Sequence, residues 1–211
     1  MIIKSLQKKG NNVVIFLDNS DSITVGYETA VKNGLRKNDV LTDAKLKELQ
    51  EESIKLKIKE SIFKLLARRN HSALELKRKL LQKRYDKKLI EDVINELIEK
   101  EYINDSLFAE NFYKEEMTKK NLGENRLRAD LFKKGINKKI IDEVINKNRD
   151  PALMLNNAVF LAAKKINYLK KASKEKNKIK QKVFSYLQNK GFDSDTIREV
   201  FRQMNLEIEE N

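Results

Sequence analysis

Leu80-Leu81-Gln82-Lys83-Arg84-Tyr85-Asp86, followed by Leu89-Ile90 and Val93-Ile94, is the stretch that decides the fold, because it returns twice more. Leu131-Phe132-Lys133-Lys134-Gly135-Ile136-Asn137 precedes Ile140-Ile141 and Val144-Ile145, and Leu187-Gln188-Asn189-Lys190-Gly191-Phe192-Asp193 precedes Thr196-Ile197 and Val200-Phe201. Aligned on Tyr85, Ile136 and Phe192, apolar residues fall five and nine positions upstream and five, eight and nine downstream in every copy. A period near fifty residues with helical spacing inside it predicts supersecondary modules that bury their faces against one another. An array of this kind offers a long surface, which suits a polymeric partner.

Working outward, the helical pattern begins at Thr42, a predicted N-cap, and runs almost to the end of the chain. In the first module Ile58, Ile62, Leu65 and Leu66 form one apolar stripe, and Ser72 with Glu75 reads as a capping box that opens a second helix. Asp86 caps a third. The second module opens at Asp105, with a helix starting near Gly123 and a left-handed break at Gly135. Asp150-Pro151 restarts the chain as cap and first helical residue. The first fifty residues differ: Ile2 to Leu6, Val13 to Leu17 and Ser22 to Val25 are short branched runs separated by turn-forming clusters, an antiparallel meander. Ala30, Val31, Leu35, Val40 and Leu41 are expected to cover one of its faces.

The predicted fold is therefore mainly α: residues 1–50 a small β-containing domain, then three-helix repeats at 51–104, 105–149 and 150–211, elongated and curved. The composition agrees, with 40% apolar and 36% charged residues, one proline and six glycines. Cysteine is absent, which excludes disulfides and thiol chemistry and fits a cytoplasmic location. No apolar run reaches the roughly 18 residues a membrane span needs.

The net charge of +13 lies in the repeats. Residues 1–54 carry eight basic and eight acidic side chains, residues 55–104 fourteen against eight, residues 105–150 eleven against nine, and residues 151–211 twelve against seven. Basic arrays attract nucleic acid or acidic protein surfaces. The densest stretch holds Lys164, Lys165, Lys170, Lys171, Lys174, Lys176, Lys178, Lys180 and Lys182 against the single acid Glu175. With Ile179, Val183 and Leu187 inward, Lys174, Lys178 and Lys182 make an outward stripe that suits a phosphate backbone; a solvated lysine face is the alternative for any one of them.

In the first repeat Arg78, Lys79 and Lys83 project from the second helix, with Arg68 and Arg69 at the preceding corner. The forked guanidinium groups of the three arginines match phosphate or carboxylate; Arg69 could instead satisfy carbonyls at a helix end. Arg126 and Arg128 near a helix start favour a bound anion, since cations are disfavoured there. Phe63, Tyr85, Tyr102, Phe108, Phe112, Phe132, Phe192 and Phe201 are expected in the core, whereas Tyr113, Tyr168 and Tyr186 are candidates to stack on bases. His71, the only histidine, reads as structural. No Cys/His metal spacing, phosphate-binding glycine loop or nucleophile–base pair is legible, so no enzyme, cofactor or metal site is expected. The acid pairs Glu91-Asp92, Glu115-Glu116 and Asp142-Glu143 are placed on exposed faces.

The motifs Leu66-Ala67-Arg68-Arg69-Asn70-His71-Ser72 with Glu75-Leu76, Tyr102-Ile103-Asn104-Asp105 with Phe108-Ala109, and Gly123-Glu124-Asn125-Arg126-Leu127 with Leu131 to Ile136 resemble the RecX family of bacterial regulators of the RecA recombinase. The resemblance covers about residues 58 to 145. It implies a non-enzymatic monomer that lies in the helical groove of a RecA filament on single-stranded DNA and restrains strand exchange, ATP turnover and coprotease activity, in the setting of recombinational DNA repair and the SOS response. Double-stranded DNA is a further candidate ligand, and a general nucleic-acid-binding protein without a recombinase partner is the first rival reading, a metal-dependent nuclease with no site singled out by its acids the second. The chain departs from the family pattern at Arg84, where glycine is usual and a different turn is expected, and in the third repeat, where lysine runs replace the arginine-bearing motif.

Overall fold

Helix caps and alternating strands appear where the residues demand them. The structure, a computed structural model, describes residues 1–170 and 176–205, and these divide into two compact units, Met1–Ile103 and Asn104–Asn211.

The first unit begins with strands β1 (Ile3–Lys9), β2 (Asn12–Leu17) and β3 (Ser22–Gly26), an antiparallel sheet in the order β1-β2-β3. Lys9 pairs with Asn12 around Gly10 at φ +58°, and Leu6 with Ile15, which itself faces Ile23. Val13, Ile15 and Leu17 alternate inward with Ile3 and Val25. Their cover differs in part from expectation. Ala30 and Leu41 are buried on the sheet and Leu35 packs against it, but Val31 and Val40 are 60% and 74% exposed. Leu46 and Leu49 supply the remaining cover.

Those two leucines belong to α2 (Asp43–Leu66), which follows the short α1 (Tyr27–Lys32). Thr42 caps α2 by accepting from the Lys45 N–H. The helix runs through the residue 50/51 boundary and serves two cores: its first half covers the sheet, and Ile58 and Ile62 pack against α3 (Ala73–Gln82) and α4 (Lys87–Glu99). The Gly26 N–H donates to Ser53 Oγ at 2.7 Å, pinning β3 to α2. Lys55 and Lys59, one turn apart on α2, pair with Asp92 at 2.8 Å and Glu96 at 2.7 Å, one turn apart on α4.

The second unit holds α5 (Asp105–Lys119), α6 (Glu124–Lys133), α7 (Lys138–Asn148), α8 (Pro151–Lys170), α9 (Lys176–Asn189) and α10 (Ser194–Gln203). Its two cores, one from α5 to α7 and one from α8 to α10, meet at Met154, which packs against both. Asn157 Nδ2 donates to the buried Met117 carbonyl at 3.0 Å.

The repeat register is the register of burial. Leu76, Leu127 and Val183, and likewise Leu80, Leu131 and Leu187, are 0% exposed. Ile90, Val93 and Ile94 recur as Ile141, Val144 and Ile145 and as Ile197, Val200 and Phe201, all buried. At the turn before the third helix Gly135 and Gly191 take φ +82° and +93°, and Arg84 takes φ +62°. The first turn therefore has the same left-handed conformation as the others, contrary to the expectation from its missing glycine. The packing of Leu80 and Ile90 around it outweighs a backbone cost of about 1 kcal/mol.

Candidate nucleic-acid interface

Helices α8 and α9 pack against each other and contain no acidic residue between them, while carrying Lys164, Lys165, Lys170, Lys176, Lys178, Lys180 and Lys182. Ile179, Val183 and Leu187 are buried, so the period of α9 turns Lys178 and Lys182 to solvent. Lys164 is exposed on α8, whereas Lys171 and Lys174 lie outside the described residues. Aromatic rings are interleaved with this charge. The Lys165 ammonium stands 5.4 Å from the ring centre of Tyr168 and 5.1 Å from that of Tyr186, and Lys190 approaches Tyr186 at 5.6 Å. Tyr168 is 69% exposed and Tyr186 half-buried. Cations for phosphates beside rings for bases are the two components of single-strand binding surfaces.

Three of the arginines singled out in the first two repeats, Arg69, Arg126 and Arg128, have partners within the fold. Arg69 donates to the Glu75 carboxylate at 3.0 Å and to the Asn70 carbonyl at 2.7 Å. The same carboxylate oxygen faces Nδ1 of the buried His71 at 3.0 Å. Burial pushes the His71 imidazole below its ordinary pKa, and Glu75 opposes that shift. Arg68 is exposed at the end of α2; on α3 and its C-cap Arg78 and Lys83 are exposed and Lys79 is half-buried.

Arg126 donates to Asp130 at 2.9 Å, and Arg128 to Glu124 at 3.0 Å and to Asp142. The anions that the helix start favours beside Arg126 and Arg128 are thus carboxylates of their own module. The Arg128–Asp142 pair between α6 and α7 has a counterpart in Lys77–Glu91 at 2.5 Å between α3 and α4. Both lie eight positions before and six after the repeat anchor. In the third repeat these positions hold Phe184 and Arg198, and Phe184 lies 6.4 Å from the Phe201 ring instead. Arg128 thus occupies a position that ties the second helix of a module to the third.

Several assignments change. Tyr113 is 4% exposed and donates its hydroxyl to the Asn148 carbonyl at 3.1 Å, which removes it from the stacking candidates. Phe63, Tyr102 and Phe132, expected in the core, are 41%, 58% and 70% exposed; Phe63 and Tyr102 meet edge to face at 5.3 Å on the surface of the first unit. Glu116 is buried and paired with Lys120 at 2.6 Å, so its acid pair is not wholly on an exposed face. Charge density along the chain also overlooks Lys87, Lys88, Lys138 and Lys139, exposed at matching positions in the first two repeats. The signal that finds them is the repeat register. Among the described residues no group of three His, Cys, Asp or Glu side chains comes together to hold a metal, and no helix is long and apolar enough to cross a membrane.

These features define a tandem three-helix-repeat protein with an N-terminal sheet and a basic, aromatic-bearing surface. Residues 59–97, 104–145 and 154–201 match the first, second and third three-helix domains of RecX. The chain is 31% identical over 205 residues to "Regulatory protein RecX" of Clostridium botulinum strain Alaska E43, covering 96% of this chain and 95% of the relative. It is 31% identical over 206 residues to that of Clostridioides difficile strain 630, covering 97% and 95%. Its fold is similar to a crystal structure of regulatory protein RecX, with TM-score 0.76 and 20% identity over 96% of this chain and 98% of that one. A crystal structure of RecX from Lactobacillus salivarius aligns with TM-score 0.62 and 25% identity, over 73% of this chain and 98% of the other. The chain belongs to the RecX family: it is a non-enzymatic regulatory protein, of the class that the sequence resemblance ties to the RecA recombinase.

Proposed function

We propose that this protein binds the filament that RecA forms on single-stranded DNA, in its helical groove, and restrains the filament's recombinase, ATPase and coprotease activities. It does so as a cytoplasmic monomer. Family membership supports the recombinase as partner. The observation that carries the nucleic-acid half is the acid-free α8–α9 pair, in which Lys165 stands over the rings of Tyr168 and Tyr186, with Lys190 just beyond α9 over Tyr186. Restraint follows from multivalency: modules that hold neighbouring filament subunits and the enclosed strand at once oppose the relative movements that turnover and strand exchange require. No step of chemistry is assigned to the chain's own residues.

The same surface supports a second reading, binding to bare DNA without a recombinase. Fluorescence anisotropy on labelled single-stranded DNA, bare and RecA-coated, separates the two. The filament reading predicts tighter binding to the coated strand and a shallower salt dependence than on the bare one. Binding to bare DNA alone, with the coated strand ignored, would leave only the second reading.

A further inference from the structure

Three copies of one module allow what the fold requires to be separated from what it tolerates. At the corner between the second and third helices, the residue after the fully buried leucine is Leu81 in the first repeat and Phe132 in the second, 41% and 70% exposed. The corresponding third-repeat residue is the exposed Gln188. Beyond the turn, the first two positions of the third helix are Lys87-Lys88 and Lys138-Lys139, all exposed, and in the third repeat Ser194-Asp195. The third repeat keeps the same turn, with Gly191 left-handed and Phe192 buried. Neither the apolar residue nor the paired lysines are therefore needed to build the corner, and the two features vanish together.

Each feature is also costly in isolation. Phe132 at 70% exposure gains little from burial in the monomer, and lysines in a first helical turn face the positive end of the helix dipole, a cost that the exposed Lys139–Glu143 pair at 4.0 Å relieves only weakly. Both costs are offset by one kind of contact: an acidic surface that offers an apolar socket. Phosphate would explain the lysines and a stacked base would explain the Phe132 ring, but Leu81 at the equivalent position has no ring to stack, so nucleic acid does not account for both copies. Charge complementarity and the apolar centre together fit a protein, in keeping with interfaces that combine an apolar anchor with a charged rim.

We propose that the α3–α4 and α6–α7 corners are two copies of one docking element, each seating Leu81 or Phe132 in an apolar socket on an acidic protein surface, with Lys87-Lys88 or Lys138-Lys139 on the acids around it. Two equivalent elements in one chain suit a partner that presents the same socket repeatedly, a homopolymer of one subunit. This rests on the filament reading above and assigns its protein contacts to the first two repeats, leaving nucleic acid to the third.

The third repeat supplies the substitutions for the test. The full-length variant L81Q/F132Q, and the variant L81Q/K87S/K88D/F132Q/K138S/K139D, place residues at both corners that the third repeat already folds with; circular dichroism melts should match the wild type. Affinities for RecA-coated and bare single-stranded DNA are then measured in parallel. The docking element predicts at least a tenfold loss on the coated strand for L81Q/F132Q, a larger loss for the six-substitution variant, and bare-DNA affinity for L81Q/F132Q within twofold of wild type. Unchanged binding of L81Q/F132Q to the coated strand, or an equal loss on bare DNA, would overturn the assignment. Wild-type protein that ignores the coated strand would instead sink the filament reading, and this assignment with it.

Discussion

The backbone N–H of Gly123 donates to the carbonyl oxygen of Lys190 at 2.9 Å, so the start of α6 in the second repeat is hydrogen-bonded to the end of α9 in the third. A second bond from the Asn125 N–H to the Gly191 carbonyl, at 3.0 Å, completes the contact. The backbones come this close because neither glycine has a side chain. A Cβ on Gly123 would overlap the Gly191 carbonyl and the Phe192 nitrogen, and one on Gly191 would overlap the backbone and Cβ of Arg126. Gly123→Ala should therefore destabilise the second unit by about 1–3 kcal/mol. Gly191→Ala should cost roughly 1 kcal/mol more, because its φ is also left-handed. Urea unfolding midpoints measure both; changes within the scatter of repeat measurements would mean that the junction is loose.

Arg84 holds a left-handed conformation that its two repeat counterparts achieve with glycine. Arg84→Gly should stabilise the first unit by at most about 0.5 kcal/mol, the relief of about 1 kcal/mol of backbone strain less the roughly 0.5–1 kcal/mol for added freedom of the unfolded chain. A drop in melting temperature would show that the arginine side chain contributes more than its backbone costs.

Arg128 and Tyr168 separate structural from binding roles. Arg128→Met breaks the bridge from α6 to α7 and should lower stability by about 1 kcal/mol, with affinity for bare single-stranded DNA within twofold of wild type. Tyr168→Ala should do the reverse: an unchanged melt and about a fivefold loss of affinity, the value of one stacked base. Removing Lys164, Lys165 and Lys182 together should flatten the salt dependence by about 2 log units per log unit of salt. An unaltered slope would place the phosphate contacts elsewhere.

Acid should destabilise the first unit in two stages. The buried His71 has its pKa pushed below the ordinary value of about 6.5. Between those two values the unfolded chain binds more protons, so stability is lost as pH falls through the window. Hydrogen bonds from Lys100 and then Lys59 hold Glu96 down to about 2, from about 4.5. Its contribution is present above about pH 4.5 and is lost as pH falls toward 2. Urea midpoints across pH should show both stages, and Glu96→Gln should flatten the lower one. A Glu96→Gln profile that still falls as steeply below pH 4.5 would assign the effect to other groups.

The inward positions were legible in the sequence because amphipathic helices in a repeated module bury the same face each time, and the caps at Thr42, Ser72, Asp86 and Asp150 obey purely local rules. What depended on partners distant in sequence was not. Leu46 and Leu49 read as part of one long helix without revealing that they cover a sheet, and Phe132 has the spacing of a core residue but stands 70% exposed. Arg128 carries the same charge whether it faces a phosphate or Asp142, and only the fold brings Asp142 to it. Tyr168 and Tyr186 were recognisable as candidates, but that Lys165 joins them was visible only once α8 and α9 had packed.

The central claim, restraint of a recombinase filament, is tested most directly by the ATPase rate of RecA on single-stranded DNA as this protein is titrated in, with DNA in excess so that competition for the strand is negligible. Inhibition at amounts well below one molecule per RecA subunit is the predicted result. An unchanged ATPase rate, alongside tight and salt-sensitive binding to bare DNA, would contradict it.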